Sequence, residues 1–265
     1  MIKYKLICLA FILVFLTGCQ TVKVDQKEAA PQENSIKENE PQTKDAPSSS
    51  DNDDKNQSKT GNLSNAVIIG DSIALKFKLF ATDKQKGDPN YLDLVKFLVA
   101  GSLGWANSLW PVSDKSVHPT YNGQKMLIED AISQMGAKKA IFMLGMNDIG
   151  LYGIDKTIEN AEKLLANVKQ KSPDIKIYLQ SVTPMVETRQ LKDLNNTNIT
   201  KFNARLAQLC QENSWVYCDI APIFTNANGA LSPEYCSDPN GLGIHLTDAG
   251  CENWAKYWLE RSSET

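Results

Sequence analysis

The chain has 265 residues, with 28 Lys and Arg against 31 Asp and Glu, six Cys and only two His. A net charge of −3 gives no basic footprint for nucleic acid, and two histidines leave no room for a multi-histidine metal site. A 42% apolar fraction is ordinary for a protein with a real core, and histidine acid–base chemistry must fall to His118 or His245.

Met1 to Lys5 carries two lysines, and Leu6 to Leu16 is an unbroken apolar run, the pattern of a secretory signal too short to be a membrane span. It ends in Leu16-Thr17-Gly18-Cys19, which resembles the bacterial lipobox. That resemblance implies cleavage before Cys19, lipidation of Cys19, and a mature chain anchored to the outer face of the cell membrane by lipid. Residues 20–62 have no aromatic side chain and are punctuated by Pro31, Pro41 and Pro47. Such a segment cannot bury enough apolar surface to offset its ordering entropy, so a disordered tether of roughly 35–40 Å reach is expected. Asp51-Asn52-Asp53-Asp54 is no calcium loop, since Lys55 sits at a ligand position and Asn62 replaces the closing Glu. One domain over residues 63–265 is then left.

Within it, Ala66–Ile69 is a short apolar run ending at Gly70, as a buried parallel strand should be. Gly70-Asp71-Ser72 follows, at a strand-to-helix turn. A second run, Lys96–Ala100, leads into Gly101-Ser102-Leu103-Gly104-Trp105. Trp105 and Trp110 flank that turn, to stack on a sugar ring or to pack beneath a lid. His118 lies in a proline-containing loop without a motif and reads as structural or solvent-facing. A third run, Ala140–Leu144, precedes Gly145-Met146-Asn147-Asp148. Ile158, Ala161, Leu165 and Val168 form a helical stripe, then Ile175–Leu179 a strand. Ile199, Phe202, Leu206 and Leu209 form another stripe, Trp215–Cys218 a last strand, and Trp254 with Trp258 marks a final helix. Five buried-type strands alternating with helices predict an α/β fold, a three-layer sandwich around a mostly parallel sheet.

Ligands in open α/β sheets lie beyond the carboxyl ends of the strands, so the residues after each strand carry the functional reading. Acyl transfer needs a nucleophile, a base and donors for the developing oxyanion. Ser72 suits the first role and His245 the second. The N–H groups of Ser72 and Gly101 and the amide of Asn147 are the candidate donors, and no cofactor or metal is called for.

Gly70-Asp71-Ser72-Ile73, Gly145-Met146-Asn147-Asp148, and His245-Leu246-Thr247 with Gly250 resemble, in this order, the blocks of the SGNH (GDSL-type) hydrolases. The resemblance spans essentially residues 65–260. It implies a flavodoxin-like sandwich, nucleophile Ser72, base His245, and an oxyanion hole from Ser72, Asn147 and a glycine after the second strand. Gly101 is the choice for that glycine, with Gly104 the alternative. The family usually places its triad Asp three residues before the His, but Leu242 stands there. The nearest upstream acid is Asp238. Either a longer loop still brings it to His245, or Asp238 is an Asx-turn residue and the site is a Ser–His dyad. Four cysteines lie in the domain. Cys236 and Cys251 bracket Asp238 and His245, so a disulfide between them would clamp this loop; otherwise they are small buried apolar residues. The expected protein is a lipid-anchored, extracytoplasmic serine esterase acting on a carboxylic ester, by location an O-acetyl group on an envelope glycan or a short-chain acyl ester. An acyltransferase using the same residues and a non-catalytic glycan-binding lipoprotein are the rivals.

Overall fold

The computed structural model describes residues 63–261. The expected signal segment with Cys19, and the expected tether over 20–62, lie outside them. Strands β1 (Ala66–Gly70), β2 (Lys96–Val99), β5 (Lys139–Met143), β6 (Lys176–Gln180) and β7 (Val216–Cys218) form one sheet in the order β2-β1-β5-β6-β7, every pairing parallel. A separate two-stranded ribbon joins β3 (Thr120–Tyr121) to β4 (Gln124–Lys125). Its Asn122-Gly123 turn has φ of +49° and +78°, the left-handed pair that a tight hairpin requires.

The helices are α1 (Ser72–Lys84), α2 (Ile128–Met135), α3 (Ile149–Tyr152), α4 (Ile154–Lys171), α5 (Asn196–Asn213) and α6 (Asp248–Glu260). α1 packs with α6, where Phe77 stacks on Trp254 at 4.5 Å, while α4 packs with α2 and α5. The result is a three-layer α/β/α sandwich. All five residues of β1 are buried, as are Ala140–Met143 of β5, so the central strands are apolar on both faces. The helical stripes read from sequence are those that face this core: Ile158, Ala161, Leu165 and Val168 on α4, and Ile199, Phe202, Leu206 and Leu209 on α5.

Strand order reverses between β1 and β5: the chain leaves β1 for β2 on one side and later returns to β5 on the other. That reversal opens a crevice above the two carboxyl ends. Ser72 follows β1 and Asn147 follows β5, so both rise at its rim.

Candidate active site

The turn that presents Ser72 is built by its two predecessors. A Cβ on Gly70 would lie 2.5 Å from Ala74 Cβ, so only glycine lets β1 pass directly into α1. Asp71 then caps the helix, its Oδ1 accepting the N–H of Ile73 at 2.9 Å. Ser72 becomes the first residue of α1, with its backbone N–H unpartnered among the described residues and its hydroxyl part-exposed.

His245 arrives from the other end of the sequence. Its Nε2 lies 3.0 Å from Ser72 Oγ and its Nδ1 lies 2.8 Å from Asp238 Oδ2. An ionised carboxylate only accepts, so Nδ1 carries the proton and Nε2 accepts from the Ser72 hydroxyl. The loop from 237 to 245 is longer than the family spacing, and Asp238 folds it. Its Oδ1 accepts the N–H of Ile244 and of His245, each at 3.0 Å, and its Oδ2 that of Leu242 at 3.2 Å. The Asx-turn geometry and the bond to the imidazole therefore coexist in one carboxylate. Partial burial would raise the Asp238 carboxyl, but the bonds from the ring and backbone of His245 outweigh it and hold it below its ordinary value.

The loop is also held from outside. Arg189 Nε donates to Pro239 O at 3.1 Å and its Nη2 to Asn240 O at 2.6 Å, while the N–H of Val186 donates to Gly243 O.

Across the crevice, Asn147 Nδ2 donates to Leu103 O at 3.0 Å and to Asp71 Oδ2 at 3.2 Å. Leu103 belongs to the glycine turn after β2. Asp148 fixes the far side of that turn, accepting the N–H of Trp105 at 3.0 Å and of Ala106 at 2.9 Å. Gly101 is exposed, and its N–H has no partner among the described residues. Gly104 is buried, and its N–H donates to Asn107 Oδ1 at 2.9 Å. A Cβ on Gly104 would lie 2.5 Å from Asp148 Oδ2, whereas one on Gly101 would meet nothing within 4 Å.

Asp71 and Asp148 were not singled out from sequence as working parts. Both are buried, and burial raises both carboxyls, Asp71 to about 6 despite the opposing pull of its Ile73 bond and of His245. A helix-capping Asp before Ser72 was a legible signal. The link from Asp71 to Asn147 needs the adjacency of β1 and β5.

Other readings resolve differently. Trp105 is 1% exposed, stacks on Phe142 and donates its indole N–H to Leu144 O, so it packs the core and leaves no face for a sugar. Trp110 is exposed. His118 is buried and structural, not solvent-facing, with Nε2 3.2 Å from Ser108 O. The Cys236–Cys251 bridge is not formed: Cys210, Cys218, Cys236 and Cys251 are all buried free thiols. Cys236 Sγ instead lies 3.5 Å from Asp238 Oδ1, and Cys251 is sealed in α6, where burial pushes its thiol up to about 12. Asp238 and the backbone thus hold the loop that a disulfide was expected to clamp.

The model of the GDSL-like Lipase/Acylhydrolase family matches residues 68–252. No curated protein sequence matches the chain. Among solved structures, a candidate platelet activating factor from Streptococcus pneumonia is 20% identical with a TM-score of 0.55, over 75% of this chain and 84% of its own. A GDSL-like lipase from Bacteroides thetaiotaomicron is 17% identical with a TM-score of 0.53, over 75% and 87%. An acetyl xylan esterase is 16% identical with a TM-score of 0.50, over 74% and 98%. At such identities the structural likeness speaks for the fold.

Proposed function

The chain belongs to the GDSL-like lipase/acylhydrolase family, and on that premise we propose a serine ester hydrolase with Ser72, His245 and Asp238 as its triad. The observation that carries this is the unbroken hydrogen-bonded line from Ser72 Oγ through both ring nitrogens of His245 to Asp238.

Ser72 Oγ attacks the ester carbonyl while His245 Nε2 takes the hydroxyl proton. Asp238 fixes the tautomer and stabilises the imidazolium. Negative charge gathers on the former carbonyl oxygen, met by the N–H of Ser72, a backbone N–H of the Gly101–Gly104 turn and the Asn147 amide. In that turn the Gly101 N–H is open, whereas the oxyanion would have to replace Asn107 at the Gly104 N–H. Asn147 would turn one hydrogen from Asp71, its longer bond. The intermediate collapses as His245 protonates the leaving alcohol, and an acyl ester of Ser72 is left. Water, deprotonated by His245, then attacks that ester; the acid leaves and Ser72 regains its proton.

The lipobox resemblance and the polar segment after it support an enzyme held by lipid on Cys19 at the outer face of the membrane, acting on esters within reach of its tether. Location suggests an acylated envelope glycan and says nothing of acyl length.

The test is hydrolysis of p-nitrophenyl esters by the full chain beside Ser72→Ala, which should lose about 10⁴-fold or more in kcat. Turnover surviving in Ser72→Ala would overturn the nucleophile assignment. For the anchor, Cys19→Ala should move the protein from the membrane fraction to the medium or leave its signal uncleaved; an unchanged acylated membrane form would overturn it.

A further inference from the structure

Beside Asn147 runs a groove of about 420 Å³ whose lining is mostly apolar, with Met146, Leu151, Met185, Leu191, Leu242 and Ile244, and also includes the charged pair Lys192 and Asp193. Met146, Met185 and Ile244 are buried, while Leu151, Leu191 and Leu242 are 76%, 57% and 56% exposed. Three solvent-exposed leucines from three separate segments on one groove form a contiguous apolar feature of the kind that marks a ligand site. They come from α3, the loop before α5 and the catalytic loop.

The site itself places these walls. Met146 precedes Asn147, and Ile244 precedes His245. Leu242 stands where the family usually carries its Asp. Because Asp238 reaches His245 from further upstream, that position is released to line the groove.

We propose that this groove holds the acyl chain of the ester and selects saturated chains longer than acetyl; the proposal rests on the serine-hydrolase reading above. The side of the ester follows from proton delivery. A leaving alcohol must receive its proton from His245 Nε2, so it lies against that nitrogen. The groove wall includes Asn147 and Ile244 but neither His245 nor Ser72. With the alcohol against His245 and the carbonyl oxygen on the Asn147 amide, the acyl substituent is the group left to enter the groove. An acetyl methyl fills about the space of one water, ~30 Å³, and leaves nearly the whole apolar wall wet. Each further methylene removes water from leucine and methionine surface, and the unbranched methionines adapt to the chain.

The test uses the full chain with two substrate series. p-Nitrophenyl acetate through octanoate should show kcat/KM rising about two- to four-fold per methylene, while ethyl through octyl acetates should stay flat. A Leu151→Ser/Leu191→Ser variant should flatten the acyl series and leave acetate within about twofold, which also reports an intact fold. In parallel, Ser72→Ala should bind octanoate in calorimetry, and the leucine substitutions should abolish that binding. A flat or falling acyl series, a slope in the alcohol series instead, or a slope untouched by the leucine variant overturns the proposal. If no ester is turned over by the unmodified chain, the hydrolase reading fails, and octanoate binding still decides whether the groove takes an acyl chain.

Discussion

Asp238 Oδ2 stands 2.8 Å from His245 Nδ1, seven residues along the chain, and the other oxygen of the same carboxylate accepts the backbone N–H of His245 at 3.0 Å. One side chain thus shapes the loop and orients the ring that the loop delivers. Arg189 reinforces the arrangement by tying Pro239 and Asn240 to a segment outside the loop.

The two roles of Asp238 separate by substitution. Asp238→Asn keeps the size but removes the charge and misplaces the tautomer, so kcat should fall about 10²–10⁴-fold. Asp238→Ala should show a similar loss of rate together with a lowered melting temperature, because three backbone N–H groups lose their acceptor. Steady-state kinetics and thermal melts check both. A variant that melts early yet keeps kcat within threefold would reduce Asp238 to a turn residue and the site to a dyad.

The two glycines of the turn after β2 should behave oppositely. At Gly104 a methyl group would press on the Asp148 carboxylate, which cannot give way because both its oxygens hold backbone N–H groups. Gly104→Ala should cost about 1–3 kcal/mol and, by shifting the turn beside Asn147, lower kcat about tenfold or more. Gly101→Ala meets open space and should stay within about 0.5 kcal/mol. Melting curves and kcat measured on the pair test this; equal effects would contradict the packing described.

Much of this was legible because a parallel strand buried on both faces reads as an apolar run. All five runs lie within a residue or two of the strands they predict, and the Ser72 and Asn147 blocks fall at the ends of two of them. The rest depended on contacts made at a distance. α2 carries Ile128, Ala131, Ile132 and Met135 at helical spacing, but it has only eight residues and also turns a charged side chain inward, Glu129 held by Asn167, so the stripe is too short to stand out. The Asn122-Gly123 signal was present but flanked by Thr-Tyr and Gln-Lys, with no alternation to mark strands. Nothing local in Trp105 tells that its indole would find Leu144 O, and nothing in Cys236 that a carboxylate rather than Cys251 would face it.

Gln180 ends β6 at full burial, with Oε1 accepting the indole N–H of Trp254 at 2.8 Å and of Trp258 at 3.1 Å. Gln180→Leu would leave two buried donors without an acceptor. Since an orphaned buried donor costs about 1–3 kcal/mol, the loss should be about 2–5 kcal/mol, reduced because the Gln180 Nε2 is itself unpartnered. Denaturant unfolding measures it. A neutral or stabilising result would show that α6 does not need this anchor.

Asp71 makes stability depend on pH through a different route. The residue directly before Ser72 is buried, and that burial raises its carboxyl from 3.8 to about 6. A folded-state value above the unfolded one means the folded chain keeps the proton longer. The stabilisation is therefore fully present below pH 3.8 and is lost as pH rises through about 6. A difference of about two units corresponds to about 3 kcal/mol. Asp71→Asn carries no such titration and still caps α1, since Asn and Asp serve the N-cap about equally. Its amide would face the Asn147 amide, which adds an offset independent of pH. The stability difference, Asn variant minus unmodified chain, should therefore rise by about 2 kcal/mol between pH 4 and pH 7 and level off above that, whatever its starting sign. Denaturant unfolding across that range measures it, and a difference constant with pH would place the Asp71 carboxyl at its ordinary value, ionised beside Ser72 at neutral pH without a burial penalty.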